Sequence, residues 1–157
     1  METRYGIASP QEMEGLSGLE FLQAMIAGRL PAPTIARTLG FRLVEASPGK
    51  AVFEGEIGPH LLNPLGSVHG GVALTLIDSA TGCAVHTNLE AGIGYTTVET
   101  KVNFTRAIRP DGGHVRAEGR VVTQGRQIAT AEARLLSADG KIVAHGTSTL
   151  MILQPRR

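Results

Sequence analysis

Tryptophan is missing from this chain, and four Phe and two Tyr are its whole aromatic content, so its core has to be built from Ala, Val, Leu and Ile. One cysteine, Cys83, excludes an intrachain disulfide and points to a reducing compartment, with the cytoplasm expected. Cys83 stands in an apolar run, which favours a buried inert thiol over a nucleophile. Charge of one sign is lacking too. Fifteen Lys and Arg against fourteen Asp and Glu give a formal charge of +1, no footprint for a general nucleic-acid binder, although a local basic patch could hold a phosphorylated ligand. The N-terminus lacks the basic start and apolar run of a signal peptide. The longest apolar stretch, Val68 to Val85, is broken by His69, Asp78, three glycines and several hydroxyls, so no membrane span is expected.

What remains is 157 residues, enough for one core, with hydrophobic residues at 42% and charged residues at 18%. Residues 1–16 read as a loose arm or short turn. Ser17 and Glu20 make a capping-box pattern ahead of Leu19, Leu22 and Ile26, predicting a helix from Ser17 to Ala27 that stops at Gly28. Pro31 and Pro33 keep the chain extended, and Thr34 to Leu39 reads as a further helical turn ending at Gly40. From Phe41 the period becomes that of strands. Residues 41–47 and 51–57 flank a Pro48-Gly49 turn, and Asn63-Pro64 and Gly66 mark an irregular loop. Residues 71–86 are apolar almost all round, predicting a buried helix. Four strands follow, Tyr95–Thr105, His114–Thr123, Arg126–Ser137 and Lys141–Ile152, divided by turn signals at residues 110–113, 124–125 and 139–140. In the first of them Val98, Val102 and Phe104 alternate with Glu99, Lys101 and Asn103. The pattern predicts an α+β fold, a curved antiparallel sheet wrapped around one long buried helix. Segment 1–40 is expected as an arm and helix packed on a single domain, 41–157. A sheet of this kind leaves edges, so pairing into a dimer is expected.

The chemistry-bearing segment runs from Asn63 to Asp78. It delivers His69, Gly70 and Gly71 to the start of the buried helix, where unpaired N–H groups and the helix dipole favour negative charge. A thioester carbonyl set against the Gly70 amide would be polarised there. Asp78 lies among Leu76, Ile77 and Ala80, with Thr75 and Gly82 on its side of the helix. It is either a partly desolvated general base or a residue bonded to its neighbours, and position alone weighs these evenly. His69 reads as a structural residue donating to a loop carbonyl and holding the glycines; Asn63 is either a turn former or a contact to the reacting water. The five histidines show no metal-ligand spacing, and no phosphate loop, dinucleotide fingerprint or Gly-x-Ser-x-Gly elbow is present. Lys101, Arg106, Arg109 and Arg126 are candidates for nucleotide phosphates, each against the alternative of a solvated surface cation, with Arg126 favoured by its place after the Gln124-Gly125 turn.

These residues resemble the PaaI-like hotdog-fold acyl-CoA thioesterases, relatives of the phenylacetyl-CoA, 4-hydroxybenzoyl-CoA and THEM-type enzymes. The likeness spans about Phe41 to Leu153 and rests on Asn63, Gly66-Ser67-Val68-His69-Gly70-Gly71 and Asp78, and on the later Val102-Asn103-Phe104, Arg109-Pro110 and Ala144-His145-Gly146-Thr147 stretches. The resemblance implies hydrolysis of aryl or short- to medium-chain acyl-CoA to free acid and coenzyme A. Asp78 would act as general base or as a nucleophile forming a mixed anhydride. The Gly70 N–H would be the oxyanion donor, supported by His69, and Asn63 the polar residue at the carbonyl or water. It further implies a base from one subunit and an oxyanion loop from its partner, hence a homodimer as the minimal active unit and a tetramer in many relatives. No metal or redox cofactor is implied, coenzyme A being part of the substrate. Gly82 replaces a Ser or Thr found in some relatives, and Thr96 matches a water-placing serine of the THEM-type branch. A catalytically silent acyl-CoA binding protein and a hotdog hydratase or dehydratase are the competing readings.

Overall fold

In the computed structural model, which describes residues 3–111 and 113–154, Ser17 caps its helix in the expected way. Its side chain accepts from the Glu20 N–H while the Glu20 carboxylate accepts from the Ser17 N–H, closing the capping box. The same device at Ser9 and Glu12 forms a short helix α1, Pro10–Met13, within the segment read as a loose arm. Then come α2, Gly18–Ile26, and α3, Thr34–Leu39, which Gly40 ends at a φ of 72°. Strands β1 (Phe41–Ser47) and β2 (Lys50–Glu56) and a 3-10 turn, Pro59–Leu61, lead to the long helix α4, Gly70–His86. Strands β3 (Gly94–Phe104), β4 (His114–Gln124), β5 (Ile128–Ser137) and β6 (Ile142–Leu153) complete the chain. β5 starts at Ile128 rather than Arg126, because the Gly125 N–H bonds the Ile128 carbonyl and draws Arg126 and Gln127 into the turn. Gly112, of the turn expected at 110–113, lies outside the described residues, as do residues 1, 2 and 155–157.

All neighbours in the sheet are antiparallel, in the order β1-β2-β4-β5-β6-β3. β1 and β3 are therefore the edges. α4 lies across the concave face with Leu76, Ile77, Ala80 and Ala84 shut from solvent. The sheet beneath it is floored with Ala117, Ala131, Ala133 and Ala144 and with glycines. The glycines are required by distance. A Cβ on Gly119 would stand 2.2 Å from the Ala80 carbonyl oxygen, and one on Gly146 would stand 2.4 Å from that of Lys101 and 3.0 Å from Ile77. With so small a floor the helix sits close, and a core poor in aromatics still fills. α2 lies beside α4 over β1 and contributes Leu22 to the same core.

β3 departs from unbroken alternation in a way that matters for the site. Thr97 pairs with Leu150 and Glu99 with the adjacent Thr149, so Val98 is an extra residue, a bulge. Before the bulge Tyr95 and Thr97 face α4; after it Thr100, Val102 and Phe104 do, as their pairing with Ile152, Leu150, Ser148, Gly146 and Ala144 requires. Val98 itself is 58% exposed.

Candidate active site

The loop before α4 is tied by Asn63. Its Oδ1 accepts from the N–H groups of Leu65 (3.0 Å) and Ser67 (3.1 Å), and its own N–H donates to the Ser67 carbonyl at 2.7 Å. Asn63 thus holds the turn. His69 is the N-cap of α4. Its Nδ1 accepts from the Gly71 N–H at 2.9 Å, so the ring acts as an acceptor towards the backbone instead of donating to a loop carbonyl. That bond leaves Nε2 as the protonated nitrogen of the neutral ring. The Val72 N–H is taken by the His69 carbonyl at 3.0 Å. Of the three N–H groups in the first turn only that of Gly70 finds no acceptor among the described residues. It points out of the helix end that carries the positive pole of the dipole. Phe104 covers this place: a Cβ on Gly70 would lie 3.1 Å from the ring edge.

Asp78 lies about 12 Å further along the helix, eight residues at 1.5 Å each. It is half-buried, beneath β3. Thr100 Oγ1 donates to its Oδ1 across 3.3 Å. Behind Thr100 stands Ser148 Oγ at 3.0 Å, and behind that Thr81 Oγ1 at 2.8 Å, both side chains fully buried. One turn beyond Asp78 the ring of Tyr95 lies on Gly82, where a Cβ would come within 2.9 Å of it. Burial, then the neighbouring Cys83 and Asp78, push the Tyr95 hydroxyl well above its ordinary range. Burial, with Asp78 adding to it, pushes the Cys83 thiol up to about 12, so Cys83 is a protonated, inert group. The hydroxyl of Thr75 is spent on the Gly71 carbonyl at 2.9 Å.

Thr96 is not brought to Asp78. It pairs with the exposed Met151 on the face of β3 turned away from α4, and the bulge at Val98 is the reason, since it inverts the alternation that would otherwise place Thr96 with Thr100. Thr100 and Ser148 are the hydroxyls the sequence reading missed. No local motif marks either one, because the bulge and the β3–β6 register decide their place.

The basic candidates separate likewise. Arg106 follows β3 and lines a cavity of about 430 Å³ with Gly70, Ala73 and Phe104. An adjoining cavity of about 470 Å³ carries Arg106 on to Arg109, His114 and Lys141. Arg109 is forked onto Asp111 at 3.0 and 2.9 Å, and Lys141 pairs with Asp139 at 2.7 Å. Lys101 stands on the face of β3 away from α4, opposite Thr147. Arg126 is in the β4–β5 turn, at the end of the molecule where Gln124 meets Asn88 just past the C-terminus of α4. Of these four candidates Arg106 alone lines the cavity with Gly70, and Arg109 lines the adjoining one.

The first-turn amide of Gly70, without an acceptor among the described residues, thus lies beside a cavity, and a half-buried carboxylate lies further along the same sheet edge. Comparison with known proteins gives the family. The model of the thioesterase superfamily matches residues 65–144, and the chain belongs to that family. A phenylacetic acid degradation-related protein from Ralstonia eutropha JMP134 superposes with a TM-score of 0.75 at 30% identity, over 83% of this chain and 98% of the other. A thioesterase family protein from Silicibacter pomeroyi gives 0.72 at 31% identity, over 85% and 96%. Human acyl-coenzyme A thioesterase 13 is 28% identical over 130 residues, 82% of this chain and 91% of that one. The fold is the hotdog fold and the protein is a thioester hydrolase.

Proposed function

We propose that the thioester is an acyl-CoA, aryl or short- to medium-chain, and that each active site is built by two copies of the chain. The carrying observation is the separation of about 12 Å along α4 between the Gly70 amide and Asp78. One tetrahedral centre needs its oxyanion donor and its base within hydrogen-bond reach of neighbouring atoms, so the two groups of one chain cannot serve the same carbonyl. Pairing two chains through β3 runs their helices in opposite directions and sets Asp78 of one against the Gly70 end of the other.

In this reading the thioester oxygen rests on the Gly70 N–H at the helix N-terminus. Asp78 takes a proton from water as the water oxygen bonds the carbonyl carbon. The tetrahedral intermediate collapses with cleavage of the carbon–sulfur bond, and coenzyme A leaves as thiolate, a group of low enough basicity (free thiol pKa about 8.5) to leave unassisted. His69 fixes Gly71 and Asn63 fixes the loop, so both are positioning residues. The cavities from Gly70 to Arg106 and Arg109 suit the carrier arm and its phosphates. No metal or redox cofactor is required, and a reducing, cytoplasmic setting suits the lone thiol.

The test is thiol release from aryl, short-chain and medium-chain acyl-CoAs by wild type and Asp78→Asn. Loss of about 10²–10⁴ in turnover, the usual worth of a general base, with coenzyme A binding kept is expected. Equal turnover would remove Asp78 from the chemistry, and binding without release in wild type would leave the thioester class open to another carrier.

A further inference from the structure

The oxygens behind Asp78 do not have enough protons to satisfy every contact they make. Thr81 Oγ1 lies 2.9 Å from the Ile77 carbonyl, 3.1 Å from the Asp78 carbonyl and 2.8 Å from Ser148 Oγ; Ser148 Oγ lies 3.0 Å from Thr100 Oγ1; Thr100 Oγ1 lies 3.3 Å from Asp78 Oδ1. Each contact needs one proton between its oxygens, and three hydroxyls bring three protons to five contacts. With Asp78 ionised, the chain can point towards it: Thr81 donates to Ser148, Ser148 to Thr100, and Thr100 to the carboxylate. The Ile77 and Asp78 carbonyls then go without the hydroxyl and are left to their helical partners. When Asp78 takes up a proton the shortage narrows to one proton shared between two helix carbonyls. The acid donates to Thr100, Thr100 to Ser148, Ser148 to Thr81, and Thr81 to the Ile77 and Asp78 carbonyls, which share its proton.

We propose that Thr100, Ser148 and Thr81 form a reversible hydroxyl chain that positions the Asp78 carboxylate when it is ionised and turns round when it receives a proton. Thr100 is a positioning residue in contact with Asp78, and Ser148 acts through Thr100. The geometry serves a base more than a nucleophile, since a base must be held equally well before and after it is protonated. This deepens the proposed function and rests on Asp78 being the base. The chain is sealed: Thr81 and Ser148 have no exposed surface, so bulk water does not supply the missing proton or substitute for a missing hydroxyl. On α4 and β3 the titratable groups that feel the Asp78 charge are Cys83 and Tyr95. Cys83 and Tyr95 are both held protonated through the acid and neutral range, and His86 lies two turns on with burial lowering its pKa. His69 is at the opposite end of α4 with its Nδ1 occupied. From β6, Ser148 reaches Thr100 beside the carboxylate.

The experiment follows the Asp78 carboxyl carbon by NMR titration and, in parallel, the pH profile of thioester hydrolysis. Thr100→Val removes a donor to the charged form, so the Asp78 midpoint and the acid limb rise together, and turnover at neutral pH falls roughly tenfold, the worth of one hydrogen bond to a charged group. Thr100→Ser restores both. Ser148→Ala raises the midpoint in the same direction by less, although it touches no atom of Asp78, which a merely structural residue would not do. An Asp78 midpoint identical in wild type, Thr100→Val and Ser148→Ala would overturn the chain. If Asp78→Asn stays active the proposed base is wrong, and the carboxyl titration still decides on the hydroxyls by itself.

Discussion

A single missing acceptor makes Gly70 the residue on which the oxyanion assignment turns, and its position allows a clean substitution. Gly70 is the first residue inside α4, where proline is accepted because its absent N–H has no helical partner. Gly70→Pro therefore deletes the donor and leaves the helix, and a loss of about 10²–10³ in kcat is expected from removing one oxyanion hydrogen bond. Gly70→Ala keeps the N–H and adds only a Cβ, 3.1 Å from the edge of a Phe104 ring that is 57% exposed and free to swing. Its loss should be well under that of proline, and comparing the kcat values of the two variants checks the assignment. Gly70, His69 and Asp78 were legible in the sequence because glycine after histidine at a helix start, and a carboxylate inside a greasy helix, each break a local rule. Thr100 and Ser148 break none. Threonine and serine are ordinary in strands, and only the bulge and the strand register bring them under α4.

Elements were legible to within a residue or two wherever caps and turns fix them: Ser17 and Gly40 bound α2 and α3, and the Pro48-Gly49 turn separates β1 from β2. Strand order was not, since β3 follows α4 in sequence yet pairs with β6, a partner some fifty residues on. The closeness of α4 to the sheet also came only with the structure. It predicts that Gly119→Ala, whose Cβ would press on the Ala80 backbone at 2.2 Å, destabilises by about 1–3 kcal/mol or more, seen as a lowered Tm. The same packing makes stability pH-dependent at the alkaline end. The Cys83 thiol is raised from 9.0 to about 12. Where a folded pKa exceeds the unfolded one, the stability it contributes is full below the unfolded value and lost as pH climbs towards the folded value. Tyr95 acts in the same sense from 10.0 upward. Tm should fall once pH passes 9, and between 9 and 10 the slope should flatten in Cys83→Ala, with Tyr95 still contributing above that.

For the whole molecule the open question is how the β3 edge is covered. The outer side of an eleven-residue strand, with Val98 and Phe104 more than half exposed, forms an edge that folded proteins rarely leave bare. Gly70 and Asp78, the proposed catalytic groups, lie along this same edge, two turns of helix apart. A partner pairing antiparallel to β3 would cover the strand and complete two active sites at once. That arrangement has a consequence no intrachain site shares. Asp78→Asn and Gly70→Pro should each be nearly inactive alone, yet a heterodimer of the two holds one site with both defects and one with none. Mixing equal amounts under conditions of subunit exchange should restore about a quarter of wild-type turnover, half the dimers being mixed and each mixed dimer carrying one of its two sites intact. If every site belonged to a single chain, the mixture would stay as inactive as its parts, however long the subunits exchanged.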